Sequence, residues 1–188
     1  MEKNLEIEYK MLLSEDVFRK LMNDFNGHTY SQTHYYLTSI ELGALRYSLR
    51  VREKEGYYEM TLKTPAKTGR MEHNLEITKE DLITIQNGEM PDNEITHLLK
   101  DKGFDLSLIK QSYSLTTIRR DVPFDSGMLS LDENHYNGIT DYELEFEVND
   151  EKAGLKQFKE LCETYHLQYK GNCASKIVRV LNNRVDKK

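Results

Sequence analysis

With 188 residues, the chain is long enough to bury a substantial core as one domain, whereas two comparable domains would each be small. Lys and Arg total 26 against 32 Asp and Glu, a formal net charge of -6, which excludes the basic surface field of a nonspecific nucleic-acid binder and makes any basic site local. No apolar run approaches the roughly 18 to 20 residues of a membrane helix, and the first residues do not resemble a signal peptide, so the chain reads as cytoplasmic with no membrane partner. Cys162 and Cys173 are too few for a disulfide framework or a zinc site and read as reduced structural residues.

In chain order, the first element alternates: Leu5, Ile7, Tyr9 and Met11 share one strand face, and Glu6, Glu8 and Lys10 share the other. Ser14 can cap a helix with apolar positions Val17, Phe18, Leu21, Met22 and Phe25, which Asn26-Gly27 stops. Strands are predicted over 35–38, 45–53 and 57–63, with turns at 41–43 and near Glu55-Gly56. In the middle strand Leu45, Tyr47, Leu49 and Val51 oppose Arg46, Ser48, Arg50 and Arg52. After a turn over 65–69, residues 70–77 alternate again and place Arg70, Glu72, Asn74 and Glu76 together.

Thr78 with Asp81 predicts a helix start, and a second helix over about 91–102 ends at Gly103. Strand character returns over 109–122, 128–132 and 141–148, where Tyr142, Leu144, Phe146 and Val148 oppose Glu143, Glu145 and Glu147. Helices near 150–166 and from about Ser175 finish the chain, with a basic tail from about 183 to 188 whose end, Arg184 to Lys188, is expected to fray. No repeat or linker marks a boundary, so residues 1–188 read as a single α+β domain. About eight mostly antiparallel strands could close into a β-barrel with helices outside, leaving alternate residues in the lumen.

The chemistry lies on the charged faces. Rows of like charge repel in a simple solvated sheet, but they make sense around a ligand of opposite charge. Glu143, Glu145 and Glu147, with Glu6 and Glu8, offer the oxygen ligands that Mg²⁺ or Mn²⁺ prefer. Arg50 and Arg52 match phosphate oxygens in pairs, and Lys10 and Lys63 add point charges. No P-loop is present to cradle phosphate by its backbone, so side chains must supply the positive charge. The histidines His28, His34, His73, His97, His135 and His166 show no metal-ligand spacing and read as surface or boundary residues.

These residues resemble the CYTH family, or triphosphate tunnel metalloenzymes. Glu6-Ile7-Glu8-Tyr9-Lys10 is similar to its N-terminal ExExK strand, Leu49-Arg50-Val51-Arg52 to its arginine strand, and Thr61-Leu62-Lys63 to its lysine strand. Further matches are Arg119 or Arg120, the Leu129-Ser130-Leu131-Asp132 strand, the strand from Tyr142 through Glu147, and Ser175-Lys176. The resemblance implies a closed eight-stranded tunnel that hydrolyses a triphosphate with Mg²⁺ or Mn²⁺. Glu6, Glu8, Asp132 and a pair from Glu143, Glu145 and Glu147 would hold metal, while Lys10, Arg50, Arg52, Lys63, Arg119 and Lys176 would grip phosphates. Catalysis would rest on Glu6, Glu8, Lys10, Arg52 and Glu145.

Leu37 departs from the pattern, since relatives often carry an acidic residue there, so substrate preference does not transfer directly. Inorganic triphosphate is the substrate expected first, with thiamine or nucleoside triphosphates as others that share the same phosphates. The alternatives are a class IV adenylyl cyclase that makes cyclic AMP from ATP, and a noncatalytic polyphosphate or nucleotide sensor. Whether the outer face makes a homodimer is left open.

Overall fold

The structure, a computed structural model, describes residues 1–183; the expected frayed tail over 184–188 lies outside the described residues. In chain order the elements are β1 (Glu2–Glu6), β2 (Glu8–Leu13), α1 (Glu15–Asp24), β3 (His28–Thr38), α2 (Ile40–Ala44), β4 (Ser48–Lys54), β5 (Tyr57–Pro65) and β6 (Arg70–Ile77). There follow α3 (Lys79–Gln86), α4 (Glu94–Asp101), β7 (Lys110–Phe124), β8 (Gly127–Tyr136), β9 (Ile139–Val148), α5 (Glu151–Thr164) and α6 (Lys176–Asn182). The α+β, mostly antiparallel architecture is as expected, but with nine strands where the sequence predicts eight. The alternation that reads as one initial strand is broken at Ile7, whose carbonyl accepts from the Val148 amide beyond the paired register of β2 and β9.

Two compact units share these elements: Met1–Leu5 with Gln32–Leu115, and Glu6–Ser31 with the chain from Thr116 onward. In the first unit the strands run in the order β1, β6, β5, β4, β3. One face of β4 to β6 supplies Leu49, Val51, Met60, Leu62 and Ile77 to a core completed by Leu82, Ile85, Ile95 and Leu99 of α3 and α4. Both helices start on capping boxes, Thr78 with Asp81 and Asn93 with Thr96, so their first amides are satisfied locally.

The predicted turn at 41–43 is the short helix α2, and β4 starts only at Ser48. Arg46 has φ 56°, in the left-handed region, and lies before β4, outside the strand face that holds Arg50 and Arg52; Leu45, half exposed, leaves the apolar face as well.

The second unit orders its strands β7, β8, β9, β2. Leu129, Leu131, Leu144, Phe146 and Val148 face Phe18 and Leu21 of α1 and Phe158, Leu161 and Cys162 of α5. Tyr9 stacks on Phe158 at 5.3 Å, which extends the core onto β2. α5 comes close to β9 at Gly154, where any Cβ would overlap the Val148 side chain. Both cysteines are free, and no helix among the described residues is long and apolar enough to cross a membrane.

Candidate active site

With the leucines of β8 and β9 turned to the core, alternation sends their polar residues to the opposite face. Register then aligns them in rows across β7, β8, β9 and β2. One row reads Arg119, Asp132, Glu143; the next reads Asp121, Ser130, Glu145, Lys10; a third reads Thr117, Asn134, Asp141. Asp132, Asn134, Thr117 and Glu143 are fully buried. Burying carboxylates is costly unless cations and hydrogen bonds surround them, and here both are present.

Asp132, Glu143 and Glu145 each aim a carboxylate oxygen into one spot, all within 4.8 Å of one another. Lys176, on the first turn of α6, reaches this spot: its Nζ lies 2.8 Å from Asp132 and 2.7 Å from each of Glu143 and Glu145. Arg119 forks Asp132 at 2.7 and 2.6 Å and donates to Glu145 at 2.5 Å. One turn along α6, Arg179 donates to Glu143 at 2.8 Å and to Asp141 at 2.9 Å. Asp141 also accepts from Asn134 at 3.0 Å and Tyr136 at 2.7 Å. Cys173 places its thiol 3.4 Å from Glu143, and burial together with that carboxylate pushes it up to about 12.

Burial alone would raise the Glu145 carboxyl, but Lys176, Arg119 and Lys10 hold it well below the ordinary carboxylate range. Burial likewise opposes charge on Lys176, and Asp132, Glu145 and Glu143 overcome it and hold the ammonium charged. Lys10 pairs with Glu8, its neighbour but one along β2.

The first unit carries its own polar face. Tyr36, Arg50, Thr61 and Asn74 form one cross-strand row; His34, Arg52, Glu59 and Glu76 a second; Ser48, Lys63 and Glu72 a third. Arg52 pairs with Glu59 at 2.6 Å, and Lys63 pairs with Glu72. Burial would raise Glu72, yet Lys63 and Arg50 bring it down to about 2.

Among the residues singled out in the sequence, Lys10, Arg119, Asp132, Glu143, Glu145 and Lys176 meet in the second unit. Glu8 joins them through Lys10; Glu147, exposed, stands opposite Glu8 in register, and Glu6 is buried outside the triad. Of the two adjacent arginines, only Arg119 enters the cluster, since Arg120 turns to Thr29 and the Met22 and Phe25 carbonyls. Arg50, Arg52 and Lys63 share the polar face of the first unit, while Leu37 lies in its core.

Sequence reasoning misses Arg179 and Asp141, and it reads His34 as a surface or boundary residue, whereas His34 is buried against Tyr36 on the Arg52 row. A signal for Arg179 existed: it follows Lys176 by three residues, which puts both cations on one helical face.

The chain's residues 4–179 match the model of the CYTH domain. This chain belongs to the CYTH family. A protein of Bacillus subtilis (strain 168) that carries a provisional triphosphatase name, YjbK, is 30% identical over 173 residues, or 89% of this chain and 90% of that protein. A crystal structure from Bacillus halodurans, provisionally named an adenylate cyclase, is 31% identical, with a TM-score of 0.88 over 95% of this chain and 98% of that one. The Hippeastrum protein HpAC1 shares the fold at 18% identity, with a TM-score of 0.74 over 96% and 97% of the two chains. The names borne by CYTH relatives thus include both triphosphatase and adenylate cyclase.

Proposed function

We propose that this CYTH chain hydrolyses the terminal phosphoanhydride of a triphosphate with a divalent metal, inorganic triphosphate being the preferred substrate. The observation that carries this reading is the Asp132, Glu143 and Glu145 triad, set among Lys10, Arg119 and Lys176. Three oxygens within 4.8 Å of one another suit a hard cation such as Mg²⁺ or Mn²⁺, and the donor set has no sulfur or imidazole to favour a softer one. Glu6, Glu8 and Glu147 are further proposed oxygen donors. When bound, the metal would neutralise charge building on the phosphate oxygens.

The chain's own cations do the rest of the electrostatic work. The Arg119 fork offers paired donors to a phosphoryl group, and Lys176 and Lys10 offer point charges. Arg50, Arg52 and Lys63 are proposed to grip further phosphate oxygens, in keeping with their side-by-side rows. Glu59 pairs with Arg52 and Glu72 with Lys63, and an anionic substrate would compete with these carboxylates for the two cations. The cytoplasm is the proposed location.

The B. halodurans relative's name favours a second reading, in which the same cations act on the α-phosphate of ATP and release cyclic AMP with pyrophosphate. Both are tested by incubating the protein with Mg²⁺ or Mn²⁺ and inorganic triphosphate, thiamine triphosphate or ATP, with Glu8→Ala and Glu145→Gln as controls. Phosphate released from inorganic triphosphate and lost in both controls is the expected result. Cyclic AMP from ATP would select the cyclase, and triphosphate binding without product would select a sensor.

A further inference from the structure

Lys176 occupies an unusual place for a residue expected to hold phosphate. Its ammonium sits between the three carboxylates of the triad, at 2.7 to 2.8 Å from each, and the side chain is 8% exposed. Every triad carboxylate also has a second cationic partner: Arg119 serves Asp132 and Glu145, and Arg179 serves Glu143. Among the described residues, only Lys176 touches all three. A divalent ion bound by these same oxygens would lie against the ammonium, and two cations at such a distance repel strongly in a buried site.

We infer that Lys176 is a tethered stand-in for the metal, which makes metal binding conditional on the triphosphate that draws the lysine away. This inference rests on the metal-dependent triphosphatase reading. Among the described acidic residues of this cluster, Asp132, Glu143 and Glu145 are the partners of Lys176, so an ammonium expelled by metal alone has lost all three. A buried cation left without a partner is costly, which opposes metal binding by itself. A phosphate oxygen next to the metal supplies the replacement partner, and the same exchange frees Arg119 to bond a second oxygen. Metal and triphosphate therefore assist each other, and by linkage each raises the affinity for the other by the same factor. The arrangement selects a metal–triphosphate pair over the free metal ion.

Replacing Lys176 by methionine keeps an unbranched side chain of similar length and removes the charge. The test titrates Mn²⁺ alone, and Mn²⁺ with the hydrolysis-resistant imidotriphosphate, into the wild-type protein and K176M, reading affinity by calorimetry. In the wild type, imidotriphosphate should tighten Mn²⁺ binding about ten-fold or more, within the range usual for coupled sites. In K176M, Mn²⁺ alone should bind about ten-fold more tightly than to the wild type, and most of the coupling should vanish. If K176M does not fold without metal, Mn²⁺ should restore a cooperative melting transition in it, and no response to Mn²⁺ would overturn the inference. Equal or weaker Mn²⁺ binding by folded K176M, or independent binding of the two ligands to the wild type, overturns it while leaving the triphosphatase reading standing. A wild-type protein that binds neither ligand, singly or together, removes that reading and this inference with it.

Discussion

Asp132 shows how much one side chain carries. It is fully buried, accepts both prongs of the Arg119 fork, and lies 2.8 Å from Lys176. Asp132→Asn should lower metal-dependent phosphate release by about 100-fold or more, since it removes a proposed metal oxygen and unbalances two cations proposed to bind phosphate. It should also destabilise the fold by about 3 kcal/mol, the usual scale for leaving buried charge uncompensated. Phosphate assays and denaturant unfolding measure the two effects separately. Arg179 differs in contacting Glu143 and Asp141 but none of the proposed phosphate-binding cations. Arg179→Met is expected to cost a similar 3 kcal/mol or so, with part of that loss recovered in Arg179→Lys, as read from urea midpoints.

At the scale of elements, α6 is only seven residues long, too short to persist by its own hydrogen bonds, and Ser175 makes no side-chain cap. Its place depends on Lys176, Arg179 and the buried Val180, so the helix that delivers the cations is itself held by the acids they meet. α5 is fixed by close approach to β9 at Gly154, where an added methyl would drive into Val148. Gly154→Ala should therefore destabilise by about 1 to 3 kcal/mol despite the gain in helix propensity, and a lowered melting temperature would show it. Periodicity made most elements legible: β6 was read to its residue limits, and α1 and α3 were announced by Ser14 and the Thr78–Asp81 box. The break at Ile7 and the turn at Arg46 were not, because both interrupt an alternation that local sequence continues unbroken.

Across the whole molecule, the excess of acids is offset where it matters by pairing on the polar faces of both units. Acid should dismantle that pairing in a defined window. Glu72 titrates at about 2 in the folded chain against an ordinary 4.5. A depressed folded value stabilises above the unfolded value, and that stability drains away as pH falls from about 4.5 toward 2. The contribution is on the order of 2 to 3 kcal/mol at neutral pH. Glu72→Gln should flatten this part of the curve of unfolding free energy against pH, and an unchanged slope would rule Glu72 out as its source.

The sequence by itself determined the strand faces and the kinds of charge they carry, because a period of two needs no information from distant residues. It also carried the ordered segments that mark the CYTH family, from Glu6-Ile7-Glu8-Tyr9-Lys10 to Ser175-Lys176. Only the tertiary structure decided that Arg119 enters the cluster and Arg120 turns away, that Glu143 and Glu145 meet Asp132 while Glu147 stays exposed, and that Lys176 lies among carboxylates. Those outcomes depend on register between β7, β8 and β9 and on where α6 docks. Register and docking are set by packing between segments far apart in the chain, such as Leu131 and Leu144 against Phe18 and Phe158, which no local pattern encodes.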